Sequence, residues 1–203
     1  MTAVRLTFED GTVRLGGDVP EGLPGVETDP RSKTARAPAE RYAALRRALA
    51  ERAVDVEDHA FDLPSLDLAS TYRLRGYQQD ALDAWLDTDP TADGNGGLPR
   101  APRGVLELPT GSGKTVIGIA AMAALGVPTL VVVPTIDLLE QWRTELEREF
   151  DAPVGQFGGG EQHQEAVTVS TYDSTYLKAE DVGDAFGLVV FDEVHHLGGE
   201  GYR

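Results

Sequence analysis

Cysteine is missing from the 203 residues, lysine occurs only at positions 33, 114 and 178, and no apolar run approaches the roughly 18 residues of a membrane-spanning helix. The first absence excludes disulfides and thiolate metal sites. The last excludes helical membrane spans. The opening MTAVRLTFED carries an acidic pair and no apolar core, so no secretory signal is expected and the cytoplasm is the expected compartment. Basic charge is also scarce: 18 Lys and Arg face 34 Asp and Glu, a net charge of -16. A strongly charged, lysine-poor surface suits concentrated salt, where charge keeps a fold soluble; an ordinary acidic protein is the alternative. Acidity normally opposes nucleic-acid binding. In high salt the release of counterions contributes little, and binding must rest on placed hydrogen bonds instead.

Apolar residues make up 41% of the chain, enough for a packed core. Two β-rich runs, 3–8 and 12–15, flank Glu9-Asp10-Gly11, which predicts a hairpin. Residues 16–37 read as loop. Pro38 suits the first position of a helix whose apolar face is Tyr42, Leu45 and Leu49. Pro64 and the polar run to Ser70 mark a boundary, so a small α+β domain is expected over 1–68 and a second domain over 69–203. In the second, Ala81, Leu82, Trp85 and Leu86 mark a short amphipathic helix, and 87–102 form a breaker-rich loop. Apolar runs at 104–108, 129–133, 166–170 and 187–191 then alternate with helix-length segments at 113–125 and 136–150. Near-continuous apolar strands between helices predict a mostly parallel, helix-covered α/β sheet.

Leu108-Pro109-Thr110-Gly111-Ser112-Gly113-Lys114-Thr115 sits between a predicted strand and a predicted helix, the context that makes such a run a phosphate-binding loop. Thr110, Gly111, Ser112 and Gly113 would present backbone N–H groups to phosphates, aided by the helix N-terminus. Lys114 would reach the β- and γ-phosphates, and the Thr115 hydroxyl would hold Mg²⁺. Asp192, ending the last predicted strand, is the second candidate Mg²⁺ ligand, and Glu193 beside it would orient and polarise the attacking water. His195 and His196 invite a zinc reading, but no HExxH accompanies them and a third ligand is lacking. ATP and Mg²⁺ are therefore the expected cofactors.

Asp192-Glu193-Val194-His195 resembles motif II of superfamily 2 helicases. Leu74-Arg75-Gly76-Tyr77-Gln78 resembles their Q motif, which implies that Gln78 reads the adenine edge. Val133-Pro134-Thr135-Ile136-Asp137-Leu138-Leu139-Glu140-Gln141-Trp142 resembles motif Ia, and Val169-Ser170-Thr171-Tyr172-Asp173-Ser174 the strand end that follows it. Together they are most similar to XPB-type DNA repair and transcription helicases in an archaeal form, over about 72–197. The resemblance implies a RecA-like first motor domain in which Pro134, Thr135, Ser170 and Thr171 contact the DNA backbone. The plain reading of Trp142 is core packing, and that of Thr171 is a helix cap.

The same resemblance makes the first domain similar to a damage-recognition domain. Residues 31–52 carry seven basic and two acidic side chains, which invites a DNA contact; the arginines spread around the helix, which a solvated surface explains nearly as well. No second RecA-like domain follows motif II, so the chain is expected to be the N-terminal part of a longer 3′–5′ repair helicase or translocase, or a truncated gene product, inactive by itself and a candidate partner of a repair nuclease. A restriction-type translocase and a DNA-binding module without turnover are the other readings.

Overall fold

The computed structural model describes residues 3–28, 34–60, 62–87, 103–109, 111–182 and 184–195. Thr110, His196 and most of the expected 87–102 loop lie outside them. The chain forms two units, one of residues 1–62 and 83–105, the other of 63–82 and 106–203.

In the first unit the expected hairpin forms as β1 (Val4–Glu9) and β2 (Thr12–Gly16). Asp10 and Gly11 turn it with positive φ of 49° and 70°, the backbone that an Asp-Gly pair tolerates. The segment expected as loop also holds two short strands, β3 (Glu27–Thr28) and β4 (Ala35–Pro38). Pro38 therefore closes a strand rather than opening a helix. Its missing N–H costs the ladder nothing at a strand end, a 3₁₀ turn (Ala39–Arg41) follows, and α1 (Tyr42–Glu51) starts four residues later. With β5 (Val56–His59) the sheet order is β3-β4-β2-β1-β5. Val4, Leu6, Val13, Leu15, Leu45 and Leu49 make its core, the alternate strand positions meeting the Leu45–Leu49 stripe of α1. Gly17 turns away from this sheet at φ 87°, and a Cβ there would run into the Ala3 carbonyl oxygen. Gly17→Ala is expected to destabilise the protein by about 2 kcal/mol, from left-handed strain and overpacking against backbone, measurable by urea unfolding.

The second unit contains α2 (Gly76–Leu86, its last turn falling in the first unit), α3 (Lys114–Leu125), β6 (Thr129–Val133), α4 (Ile136–Phe150), β7 (Val154–Gly158), β8 (Glu161–His163), β9 (Val167–Thr171), α5 (Tyr172–Val182) and β10 (Leu188–Phe191). The sheet order is β10-β6-β9-β7-β8, parallel throughout except for the β7-β8 hairpin. All five residues of β6 and of β9 are buried, as expected for strands covered on both faces. The α/β architecture is thus the expected one.

One expected strand is absent. Residues 104–108 take no part in a ladder, and Val105 is 81% exposed. A β-rich run becomes a strand only where a sheet edge accepts its N–H and C=O groups, and composition does not supply that edge.

Candidate functional site

Parallel pairing sets the site. Val132 faces Phe191 and Val133 faces Thr171 in register, so β6, β9 and β10 end together at their carboxyl ends. The Asp192 amide continues this pairing by donating to the Val132 carbonyl at 2.9 Å. Open α/β sheets bind ligands at this end.

The glycine loop meets α3 as anticipated. Gly111 and Gly113 have φ of 77° and 83°, a left-handed backbone that only glycine adopts without strain, and Gly113 immediately precedes Lys114 at the helix start. A Cβ on Gly113 would lie 2.6 Å from Gln78 Nε2. Lys114 Nζ donates to the Leu108 carbonyl at 3.2 Å, so the ammonium folds back over its own loop. Thr115 follows in the first turn of α3.

Gln78 is buried against this loop. Its Nε2 donates to the Ser112 carbonyl at 3.0 Å, and its Oε1 accepts from the Arg75 amide at 2.9 Å. The Tyr77 hydroxyl donates to the same Ser112 carbonyl at 2.7 Å. The segment before α2 is thereby tied to the phosphate loop by two side chains. Between them lies a pocket of about 180 Å³, bounded by Tyr72, Arg73, Arg75 and Gln78 on one side and by residues 111–113 and Val116 on the other.

Glu149 holds that segment from behind. Its carboxylate accepts from the Ser70 hydroxyl at 2.8 Å, the Tyr72 amide at 3.0 Å, the Thr71 hydroxyl at 3.2 Å and the Thr71 amide. The Tyr72 hydroxyl donates to Glu145 and accepts from Arg148 at 2.7 Å. None of this was anticipated, although a signal existed: Glu149 stands seven residues after Trp142 and three after Leu146, on the buried stripe of α4, where an acid needs partners.

At the other edge Asp192 is fixed on three sides. Its Oδ2 accepts from the Trp142 indole N–H at 2.7 Å, its Oδ1 accepts from the Glu193 amide at 2.9 Å, and its main-chain carbonyl accepts from the Tyr172 hydroxyl at 2.5 Å. Trp142 is 3% exposed, so the core-packing reading holds for the ring but misses the indole N–H. Glu193 has φ 51°, an uncommon backbone for a non-glycine residue, and its carboxylate lies 3.4 Å from His195 Nδ1. No group of three His, Cys, Asp or Glu that could hold a metal ion occurs among the described residues. A nucleotide-bound Mg²⁺ asks for less: one or two carboxylates and a hydroxyl, with water and phosphates completing the shell. Asp192 and Thr115 supply donors of that kind, each carboxylate oxygen of Asp192 spending one acceptor position on the protein.

The four candidate DNA contacts differ. Thr135 is exposed and caps α4, its Oγ1 accepting from the Leu138 amide at 3.3 Å; Pro134 precedes it, half-buried. Ser170 is fully buried, its hydroxyl donating to the Thr171 carbonyl at 3.1 Å and accepting from Thr175 at 2.8 Å. Thr171 is 7% exposed and its Oγ1 accepts from the Ser174 amide at 3.3 Å, the cap of α5. The structure thus corrects the expectation for Ser170, whose side chain is buried because helices cover both faces of β9, Thr175 of α5 donating to its hydroxyl.

In the first unit several arginines of the 31–52 region are occupied. Arg36 pairs with Glu9 at 2.6 Å and Arg46 with Asp58 at 3.1 Å, while Arg52 donates to the Glu21 and Gly22 carbonyls at 2.7 and 3.1 Å. Burial and the Asp58 carboxylate push the Tyr42 phenol well above its usual range, so it stays a donor to Asp58 at 2.5 Å. Two of the seven positive charges, those of Arg36 and Arg46, are therefore paired with carboxylates from outside that stretch.

Known families match the chain in two successive parts. The family described as the Type III restriction enzyme, res subunit, matches residues 71–203, and the Xeroderma pigmentosum group B helicase damage recognition domain matches 6–60. A DNA 3′-5′ translocase XPB2 of Sulfurisphaera tokodaii is 39% identical over 180 residues, 88% of this chain and 38% of that protein. A DNA 3′-5′ helicase XPB of Kineococcus radiotolerans is 35% identical over 155 residues, 71% of this chain and 25% of that protein. A general transcription and DNA repair factor IIH helicase/translocase subunit XPB of Encephalitozoon cuniculi is 30% identical over 148 residues, 64% of this chain and 20% of that protein. The chain matches only the smaller part of each relative's length. With a res-subunit match over residues 71–203, well over half of its length, the chain belongs to the family described as the Type III restriction enzyme, res subunit.

Proposed function

We propose that this chain forms the first half of an ATP-dependent DNA helicase or translocase of the repair type. The observation that carries the reading is the presence of the glycine turn, with φ of 77° and 83° at Gly111 and Gly113, and of the held carboxylate of Asp192 in one α/β unit. Gly111, Ser112, Gly113 and Lys114 bind the phosphates, joined by Thr110. Thr115 and Asp192 hold Mg²⁺, which neutralises charge developing on the phosphates. Glu193 orients the attacking water. Gln78, whose amide is spent on the Arg75 amide and the Ser112 carbonyl, reads the base only on exchanging those bonds, and otherwise holds the wall of the pocket against the phosphate loop. A second RecA-like domain, belonging to the length of the relatives that this chain does not match, supplies the opposite wall and its arginines.

DNA backbone phosphates lie across the strand ends at Pro134 and Thr135, with Thr171 and Ser170 shaping that face from beneath. The damage-recognition match at 6–60 favours the repair reading over a restriction translocase. A nuclease partner fits a repair role. The net charge of -16 fits a salt-rich archaeal cytoplasm.

Titration of the chain with a non-hydrolysable ATP analogue, with and without Mg²⁺, tests the site. Mg²⁺ is expected to tighten binding, and Asp192→Asn to remove about tenfold of that gain, the worth of roughly one charge-assisted contact. No binding at millimolar nucleotide, with DNA still bound, would replace the motor reading by that of a DNA-binding module.

A further inference from the structure

Trp142 lies midway along α4, yet its polar atom serves another element. The indole N–H points at Asp192 Oδ2 at 2.7 Å across 50 residues of sequence. The far edge of the same ring lies under α3: a Cβ on Gly118 would sit 3.1 Å from the Trp142 ring and 4.0 Å from Val190 of β10. The indole therefore fills the space between the helix that begins at Lys114 and the strand that leads into Asp192. Tyr172 is 4% exposed and works on the same residue from α5, its hydroxyl on the Asp192 carbonyl at 2.5 Å and its ring centroid 6.3 Å from that of Phe191.

A carboxylate on a strand end rotates about two bonds. A donor on Oδ2 and another on Oδ1 remove that freedom, and a bond to the main-chain oxygen fixes the peptide that carries the side chain. Buried aromatic N–H and O–H groups take partners; here both choose one residue, and that residue is the candidate metal ligand.

We propose that Trp142 and Tyr172 are positioning residues for the metal carboxylate. They set the direction in which Asp192 presents its remaining lone pairs and its distance from the phosphate loop. This rests on the nucleotide reading above and adds the means by which the metal half of that site is held before nucleotide arrives. A purely structural role predicts that loss of either group lowers stability without changing the metal dependence of binding. A positioning role predicts loss of metal dependence in particular.

The test measures affinity for a non-hydrolysable ATP analogue in Mg²⁺ and in EDTA, for the 203-residue chain and for Trp142→Phe and Tyr172→Phe. The ratio of the two affinities is expected to fall about fivefold in each variant, with affinity in EDTA unchanged. A ratio equal to that of the parent in folded variants overturns the proposal while leaving the nucleotide site standing. A parent chain that binds no nucleotide overturns both. Should Trp142→Phe fail to fold, Tyr172→Phe decides by the same ratio. Indole emission gives a second reading: the chain has two tryptophans, so Trp85→Phe leaves Trp142 as the sole reporter. In that background Asp192→Asn and Mg²⁺-nucleotide are each expected to shift its emission, and an unmoved spectrum in both cases overturns the proposal.

Discussion

Glu149→Ala is expected to lower stability by about 3 kcal/mol and the unfolding temperature by about 10 °C. The carboxylate is 9% exposed and gathers four donors from three consecutive residues, 70–72. Hydrogen bonds to a charged group contribute roughly 1.5–3 kcal/mol each, but they are not additive, and water recovers part of the loss for donors near the surface. Alanine also leaves a gap on the stripe that Leu146 and Trp142 occupy. Glu149→Gln keeps one acceptor oxygen and is expected to lose about half as much. Differential scanning calorimetry reads both. A shift within 2 °C for the alanine variant, a small fraction of that effect, would mean that the latch is replaced at no cost by solvent. The consequence for the site is specific. Residues 72, 73 and 75 bound the pocket beside the phosphate loop, so the alanine variant is expected to bind nucleotide more weakly even where it remains folded.

Lys114→Ala is expected to weaken nucleotide binding on the order of a hundredfold, the upper range for hydrogen bonds to a charged group. The ammonium now rests on the Leu108 carbonyl at 3.2 Å, a contact it can exchange for phosphate oxygens without disturbing α3. The unfolding temperature is accordingly expected to stay unchanged, which separates this variant from a merely unfolded one. Lys114→Arg is not expected to restore affinity. A planar fork of donors cannot occupy the place of a compact ammonium within a turn built from Gly111 and Gly113. Titration calorimetry with the ATP analogue checks both; an affinity within threefold of the parent for alanine would remove Lys114 from the phosphate site.

Local pattern carried much of this molecule. β6 and α4 occupy the residues that apolar runs and 3–4 spacing mark, because β6 is buried throughout and α4 along one stripe from Leu139 to Phe150, and burial is what periodicity reports. The glycine turn and the carboxylate at the end of β10 were readable for the same reason, being one short motif each. What stayed hidden depends on partners distant in sequence. The pairing of β5 with β1 spans 52 residues between Arg5 and Glu57. Trp142 reads as core by spacing, and only the fold shows which carboxylate its N–H meets. Residues 104–108 have the composition of a strand without a ladder to join.

Lysine scarcity turns the fold-back of Lys114 onto Leu108 into a practical handle. An amine-directed reagent meets three side chains in this protein. Lys178 stands over the Phe157 ring, 5.6 Å from its centroid. Acylation mapped by mass spectrometry, with and without nucleotide, thus reports occupancy of the phosphate loop through a single modified residue, and needs no substitution in the chain.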